Sequence, residues 1–402
     1  VQGIAVTGQR SGCVVLDEAG ATLYAGPQFD GRGYEVDLAG LAASATLLLG
    51  ACAEPPPTAS EADAAAPELR EWTLLSTVPR GLPGPGTGAI RFAERIETMS
   101  ASRLRVTVRG AGEVVGAFDV FDAVVAGDAE LGHGTASYWR GKIPESVFFS
   151  AVPFGMTAQE ANGWLYHGGG LELWRELYAP FGVVPMPAGN SGTQMGGWFD
   201  REIETVDDLK GLRMRLLGLG AEVLERAGGA PVSLPADAVF NAMQSGVLDA
   251  VEWAAPYNDL PFGLHQVARY YYYPGWQEPG PPLELIVNEA AFASLPPDLR
   301  AIVKAAARAM NEEMLVEYTA RNPASLATLQ TEHGVELRRF PDPVLAELRR
   351  LSDEVLAEIA ASTPMAARIH ASYRAYLTDV RAWHAVSEQA YLDARTKTAP
   401  AD

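Results

Sequence analysis

Positive charge is scarce in this sequence of 402 residues: 31 Lys and Arg stand against 50 Asp and Glu, a formal net charge of −19. Such an excess repels phosphate backbones and anionic lipid surfaces, which argues against nucleic acid as a partner. Charged residues of both signs make up 20% of the chain and hydrophobic residues 48%. That balance excludes disorder over most of the length and allows two or three domains with a sizeable core. Signatures of catalysis are missing as well. "GNSGTQ" (189–194) lacks the second glycine of a nucleophile elbow, and no glycine-rich loop ends in Gly-Lys-Ser/Thr. His133, His167, His265, His333, His370 and His384 form no pair at metal-ligand spacing. "GPGTG" (84–88) reads as a turn before a helix rather than a phosphate cradle. An enzyme would have no visible machinery.

Cysteine occurs twice, as Cys13 and Cys52, and the second closes "LAGLAASATLLLGAC". The stretch 38–51 has the length of a signal-peptide core and is too short to span a bilayer comfortably. Leu49-Gly50-Ala51-Cys52 resembles a bacterial lipobox, in which the cysteine is lipidated after cleavage. An A-x-A-like cut nearby, or a short buried helix with a chance cysteine, are the alternatives. Residues 1–52 are thus expected to be a leader. Signal peptides open on a short basic segment, however, whereas "FDGRGYEVD" precedes the apolar run here. The natural start is therefore expected near residue 35, or the upstream reading frame is wrong. The Pro, Ala and acidic tract over 53–68 reads as a flexible tether.

From residue 69 onward the chain is patterned. "LREWTLLSTVP" alternates as a strand, "AIRFAERIETMS" places Ile90, Ala93 and Ile96 on one helical face, and "RLRVTVRG", "DVFDAVVAG" and "AELGHGTA" continue as strand, helix and strand. This order predicts an α/β sheet with crossover helices. "RYYYYPGW" sets four tyrosines in a row, of which a strand would bury half. Pro296-Pro297-Asp298 mark the start of a later helix. Ile369, Tyr373, Tyr376, Val380, Trp383 and Tyr391 recur at helical spacing near the C-terminus. So large a stripe packs either on its own lobe or against a second subunit.

Seven segments stand in a familiar order: "GHGTASYWRGK" (132–142), "AVPFGM" (151–156), "NGWLYHGGG" (162–170), "PAGNSGTQMGGWF" (187–199), "DLKGLRMR" (208–215), "MQSGVLDAVEWAAPYNDLPFG" (243–263) and "ARYYYYPGWQEPG" (268–280). They resemble the DctP-like solute-binding subunits of TRAP transporters, and more narrowly the branch that binds alpha-keto acids and related monocarboxylates. The resemblance runs from about residue 69 to the C-terminus. It implies an α/β, two-lobed periplasmic-binding-protein fold with long C-terminal helices. One lobe would take 69–192 and 250–282, the other 193–249 and 283–340. Residues 341–402 would form terminal helices that brace both lobes and pair two subunits. The implied function is extracytoplasmic capture of a small alpha-keto acid with a cation, for delivery to membrane subunits. No covalent step is expected. The rivals are a ligand sensor docking on a receptor and an enzyme acting on keto acids.

Residue by residue, the resemblance makes Arg215 the ligand's carboxylate clamp, since a guanidinium fork fits a carboxylate through two charge-assisted hydrogen bonds. Arg213 faces away by strand alternation. Gln194, Glu252 and the main-chain carbonyl of Trp253 are implied to surround a cation that also touches the ligand, oxygen donors suited to a hard ion. Glu252 and a monocarboxylate supply two negative charges, Arg215 and sodium two positive ones, so sodium is the first choice. Calcium, the second, leaves one positive charge over unless another carboxylate joins. The alternative for Glu252 is a structural ion pair with some other arginine. Thr135, Ser137 and Tyr138 offer hydroxyls to a keto oxygen, Tyr138 foremost, while His133 reads as packed. Trp198, Tyr257 and Trp276 are candidates for an apolar wall, with Gln277 beside it adding a hydrogen bond.

Overall fold

A computed structural model of the chain describes residues 4–6, 13–16, 22–26 and 69–397. The polypeptide divides into two compact units, 1–66 and 67–402. In the first, β1 (Ile4–Val6), β2 (Cys13–Leu16) and β3 (Thr22–Gly26) pair as an antiparallel meander. The apolar run 38–51, Cys52 and the tether over 53–68 lie outside the described residues. Among the described residues, no helix is long and apolar enough to cross a membrane.

The second unit opens as its alternation predicts, with β4 (Arg70–Ser76), α1 (Pro85–Met99), β5 (Leu104–Arg109), α2 (Val120–Ala126) and β6 (Leu131–Gly134). Burial alternates strictly along β5: Leu104, Val106 and Val108 enter the core and the intervening residues face out. Then come α3 (Ala158–His167), α4 (Gly170–Tyr178) and β7 (Val183–Asn190). The next strands are very short: β8 (Gly197–Phe199), β9 (Arg213–Arg215), β10 (Ala230–Val232) and β11 (Ala250–Val251). Among them lie α5 (Gly218–Arg226) and α6 (Ala236–Gln244), followed by α7 (Pro256–Phe262), β12 (Tyr270–Tyr273), β13 (Pro282–Asn288), α8 (Glu289–Ser294), α9 (Pro297–Thr331) and β14 (Glu336–Arg339). Three helices close the unit: α10 (Asp342–Ser362), α11 (Pro364–Val386) and α12 (Glu388–Lys397).

Two sheets organise these elements, one per lobe. The first runs β5-β4-β6-β13-β7 and the second β10-β9-β11-β8-β12-β14. This corrects the lobe boundaries that the resemblance implied. Strands of 250–273 pair in the second sheet and the strand at 282–288 in the first, whereas the resemblance placed them the other way round. The reason is the path of the chain, which crosses between sheets at 191–196, returns at 274–281 and crosses again along α9. The two crossing segments touch: Gly275 N donates to the Gln194 carbonyl at 3.0 Å, and Gln194 N to the Glu278 carbonyl at 3.1 Å. A Cβ on Gly275 would lie 2.2 Å from that Gln194 oxygen, so only glycine permits the approach.

α9 joins the lobes. Met310, Met314 and Tyr318 pack in the core of the first, and Leu329 packs with Trp198 and Tyr271 in the second. The terminal helices divide similarly: α10 packs on α5 and α11 on α3 and α4. Tyr373 of α11 accepts from Met156 N at 2.8 Å. The tyrosine run differs from simple alternation, because Tyr271 and its neighbour Tyr272 are both buried while Tyr273 is exposed. β12 is an interior strand covered on both faces, so Tyr271 stacks on Trp198 and Tyr272 packs against Phe340.

Candidate ligand-binding site

The cleft between the two sheets holds a cavity of ≈ 110 Å³. Segments from along the whole unit build it: the stretch after β4, the segment after β6, the crossing at 191–196, the ends of β9 and β11, the crossing at 274–281 with the start of β13, and α9. Ligands bind at strand ends in open α/β sheets for this reason, since loops from separate strands converge there. Thr135, Ser137, Tyr138, Gln194, Arg215, Glu252 and Trp253 all line the cavity.

Arg215 is 3% exposed. Its Nη1 donates to the Glu252 carbonyl oxygen at 2.6 Å and to Glu252 Oε2 at 3.0 Å, and its guanidinium lies 5.0 Å from the Trp253 ring centre. The alternative of an ion pair between Glu252 and some other arginine is not what the structure has: Glu252 pairs with Arg215. Arg213 points out and pairs with Asp249, in line with strand alternation. Tyr138 reaches from the first lobe into the field of the Arg215 charge, and burial pushes its hydroxyl up, so it stays protonated. The Trp253 indole donates to Asn258 and stacks on Phe262. His133 also faces the cavity, but it is buried with Nε2 3.0 Å from the Ala188 carbonyl, and burial drops it to about 4, leaving it neutral.

Two expectations for the walls are corrected. Trp198, Tyr257 and Trp276 do not line the cavity: Trp198 donates to Asp259 inside the second lobe, Tyr257 to Glu317, and Trp276 packs on Phe154. The apolar side comes instead from Leu82, Pro85, Leu283, Met314 and Tyr318. Gln277 is also off the lining; it donates to the Met195 carbonyl at 2.8 Å.

Sequence reasoning missed Glu278, which lines the cavity beside Gln194 and Glu252. Burial holds Glu278 up at about 7 against the pull of Arg215. Glu252 is raised well above the ordinary carboxylate range, first by burial and next by the charge of Glu278, with Arg215 opposing. A signal for Glu278 was available, because it comes directly after Gln277 in "WQEPG" and the charge count left room for one more carboxylate. Glu252 Oε1 and Gln194 Oε1 are buried with no hydrogen-bond partner. Unpartnered anionic and amide oxygens in a buried site suit a hard cation. Glu252 and Glu278 would hold it with the Gln194 amide and a main-chain carbonyl. With only two carboxylates there, no cluster of three His, Cys, Asp or Glu residues fit for a metal occurs among the described residues.

Two lobes with a polar cleft between them are the architecture of the extracytoplasmic solute-binding proteins. The chain belongs to the DctP family, described as bacterial extracellular solute-binding protein, family 7, whose model matches residues 84–363. It is 38% identical over 349 residues to a monocarboxylate 2-oxoacid-binding periplasmic protein of Nostoc, a match covering 87% of this chain and 94% of the relative. Among solved structures, it is similar to a TRAP periplasmic solute-binding protein from Pseudoalteromonas atlantica with bound sodium and pyruvate, at 41% identity and TM-score 0.79, over 81% of this chain and 99% of the other. A TRAP solute-binding protein from Colwellia psychrerythraea with bound calcium and pyruvate matches at 39% identity and TM-score 0.79, over 81% and 100% of the two chains.

Proposed function

We propose that this chain is the solute-binding subunit of a TRAP transporter, capturing a small 2-oxo monocarboxylate with one hard cation and handing both lobes, closed, to the membrane subunits. One observation carries the substrate class: among the described residues lining the cavity, Arg215 is the single arginine or lysine. A dicarboxylate would leave its second charge without a partner in a dry cleft, at a cost of several kcal/mol. The cavity of ≈ 110 Å³ suits an acid of pyruvate's size. Ser137, Thr135 and Tyr138 supply hydroxyls for the keto oxygen. The cation would neutralise carboxylates and so leave Arg215 free to clamp the ligand.

Glu278 alters the charge count. With Glu252, Glu278 and the ligand there are three negative charges, which Arg215 and calcium match. Sodium matches them when one carboxyl keeps its proton. Calcium therefore suits the fully ionised site, and sodium the site in which a raised carboxyl keeps its proton. The experiment is a thermal-shift screen of chelated, dialysed protein with oxo, hydroxy and dicarboxylic acids, each with sodium, calcium or neither. Pyruvate with a cation should stabilise the protein most; a dicarboxylate doing better, or pyruvate being consumed, contradicts the reading.

The same reading includes pairing of two copies through the C-terminal helices. The stripe foreseen in the sequence splits: Ile369 and Tyr373 are buried against the chain's own lobe and Tyr376 and Val380 pack there partly buried, whereas Trp383 and Tyr391 are exposed, as are Val386 and Leu392 near them. No residue of α12 is buried. It also includes lipidation of Cys52 after export, on the strength of "LLLGAC"; mass spectrometry of protein taken from its native envelope decides this, an unmodified N-terminus beyond Cys52 being the adverse result.

A further inference from the structure

Tyr138 and Arg140 leave one short segment, and both reach the opposite lobe. Tyr138 meets Arg215 inside the cavity, while Arg140 lies outside it, along an adjoining groove with Phe118, Leu217 and Gly218. There Arg140 pairs with Glu222 of α5, and its Nη1 donates to the Gly218 carbonyl at 3.3 Å. Glu225, on the same helix, adds an attractive charge. The pair is partly withdrawn from water, with side-chain exposures of 36% and 21%. Gly218 has a left-handed φ of +60°, and a Cβ there would lie 3.3 Å from Ser137 Cβ, so the two lobes are in contact at this point.

Arg140 is delivered from a firm base. The Trp139 indole beside it is buried, donates to the Glu284 carboxyl of β13 and packs against Phe121. Neither Arg140 nor Glu222 lines the ligand cavity. Because the partners sit on different lobes, their attraction favours the closed arrangement over any in which the lobes part, and a contact made in one state alone is what shifts a population.

We propose that Arg140 and Glu222 form a latch that holds the lobes closed and raises acid affinity without touching the acid. The inference rests on the solute-binding reading. Apparent affinity scales with the closed, binding-competent fraction, and a latch that breaks on opening acts mainly on release. A partly exposed pair is also weakened by salt.

The test uses the full chain, pyruvate at fixed calcium, calorimetry and stopped-flow release. Arg140→Gln and Glu222→Gln should each weaken pyruvate by roughly three- to tenfold, mostly through faster release. The double glutamine variant should be no worse than either single one, and Arg140→Glu combined with Glu222→Arg should recover part of the loss. Choline chloride, which supplies no cation for the site, should lower wild-type affinity toward that of the variants. Single variants that bind like wild type, or losses that add independently, overturn the latch. Small-angle scattering without acid separates the two readings: the variants should show a larger radius of gyration than wild type even where pyruvate is not the ligand. An unchanged radius together with unchanged affinity overturns the proposal.

Discussion

Arg215 gathers most of the site's polar chemistry at one guanidinium, with Glu252 on Nη1, Tyr138 from the facing lobe and the Trp253 ring 5.0 Å away. A lysine ammonium keeps the charge but cannot serve a planar carboxylate and Glu252 together. Arg215→Lys should therefore weaken pyruvate roughly tenfold or more, given about 1.5–3 kcal/mol for a charge-assisted hydrogen bond. Calorimetry showing unchanged affinity would remove Arg215 from the ligand. At this scale the sequence was legible wherever a motif names a residue type that the chemistry requires: Arg215, Glu252, Gln194 and Tyr138 line one cavity. It was less legible where position depends on folding. Glu278 counts as a third charge only because Gly275 lets the crossing segment at 274–281 lie against Gln194. Met314 and Tyr318 reach the cavity from a helix far along the chain, where an apolar residue at helical spacing reads as core.

A strand of strict alternation such as β5 could be read directly, as could β4, although its last three residues are all buried, and α9 from its proline start. β8, β9, β10 and β11 are two or three residues long, too short to show a period, so their pairing and the sheet to which they belong were not readable. Nor was the buried carboxyl of Glu284, on β13, which accepts from Trp139 and neighbours Tyr178. Burial pushes Glu284 from the ordinary 4.5 to about 8, and Asp259 from 3.8 to about 7. With the folded pKa raised, the native state holds a proton that the unfolded chain has lost, between about pH 4.5 and 8 at Glu284 and between about pH 3.8 and 7 at Asp259. Stability therefore falls as pH rises through these windows, by at most about 1.4 kcal/mol per pH unit for each group. Glu284→Gln, which keeps an acceptor for Trp139 and does not ionise, should flatten the fall. Urea midpoints at pH 5 and pH 8.5 test this: a variant with the same slope as wild type means that Glu284 is ionised in the native state throughout.

For the whole molecule, the reading is of two lobes that close on an acid and a cation, presented by a subunit that pairs through its last two helices. Trp383→Asp with Tyr391→Asp should shift sedimentation from dimer to monomer while pyruvate binding persists; a wild-type monomer contradicts the pairing. The central claim is that acid and cation occupy one electrostatic unit joined through Glu252. If so, each must raise the other's affinity by the same factor, since linkage of binding is reciprocal. Glu252→Gln should lose most of the cation dependence and keep part of the acid binding through Arg215. The most direct measurement is a pyruvate titration of chelated, dialysed wild-type protein at several calcium and sodium concentrations and fixed ionic strength. Affinity that climbs with cation and is nearly flat in Glu252→Gln is the expected result; wild-type affinity indifferent to both cations would show that Glu252 serves the fold and not a metal.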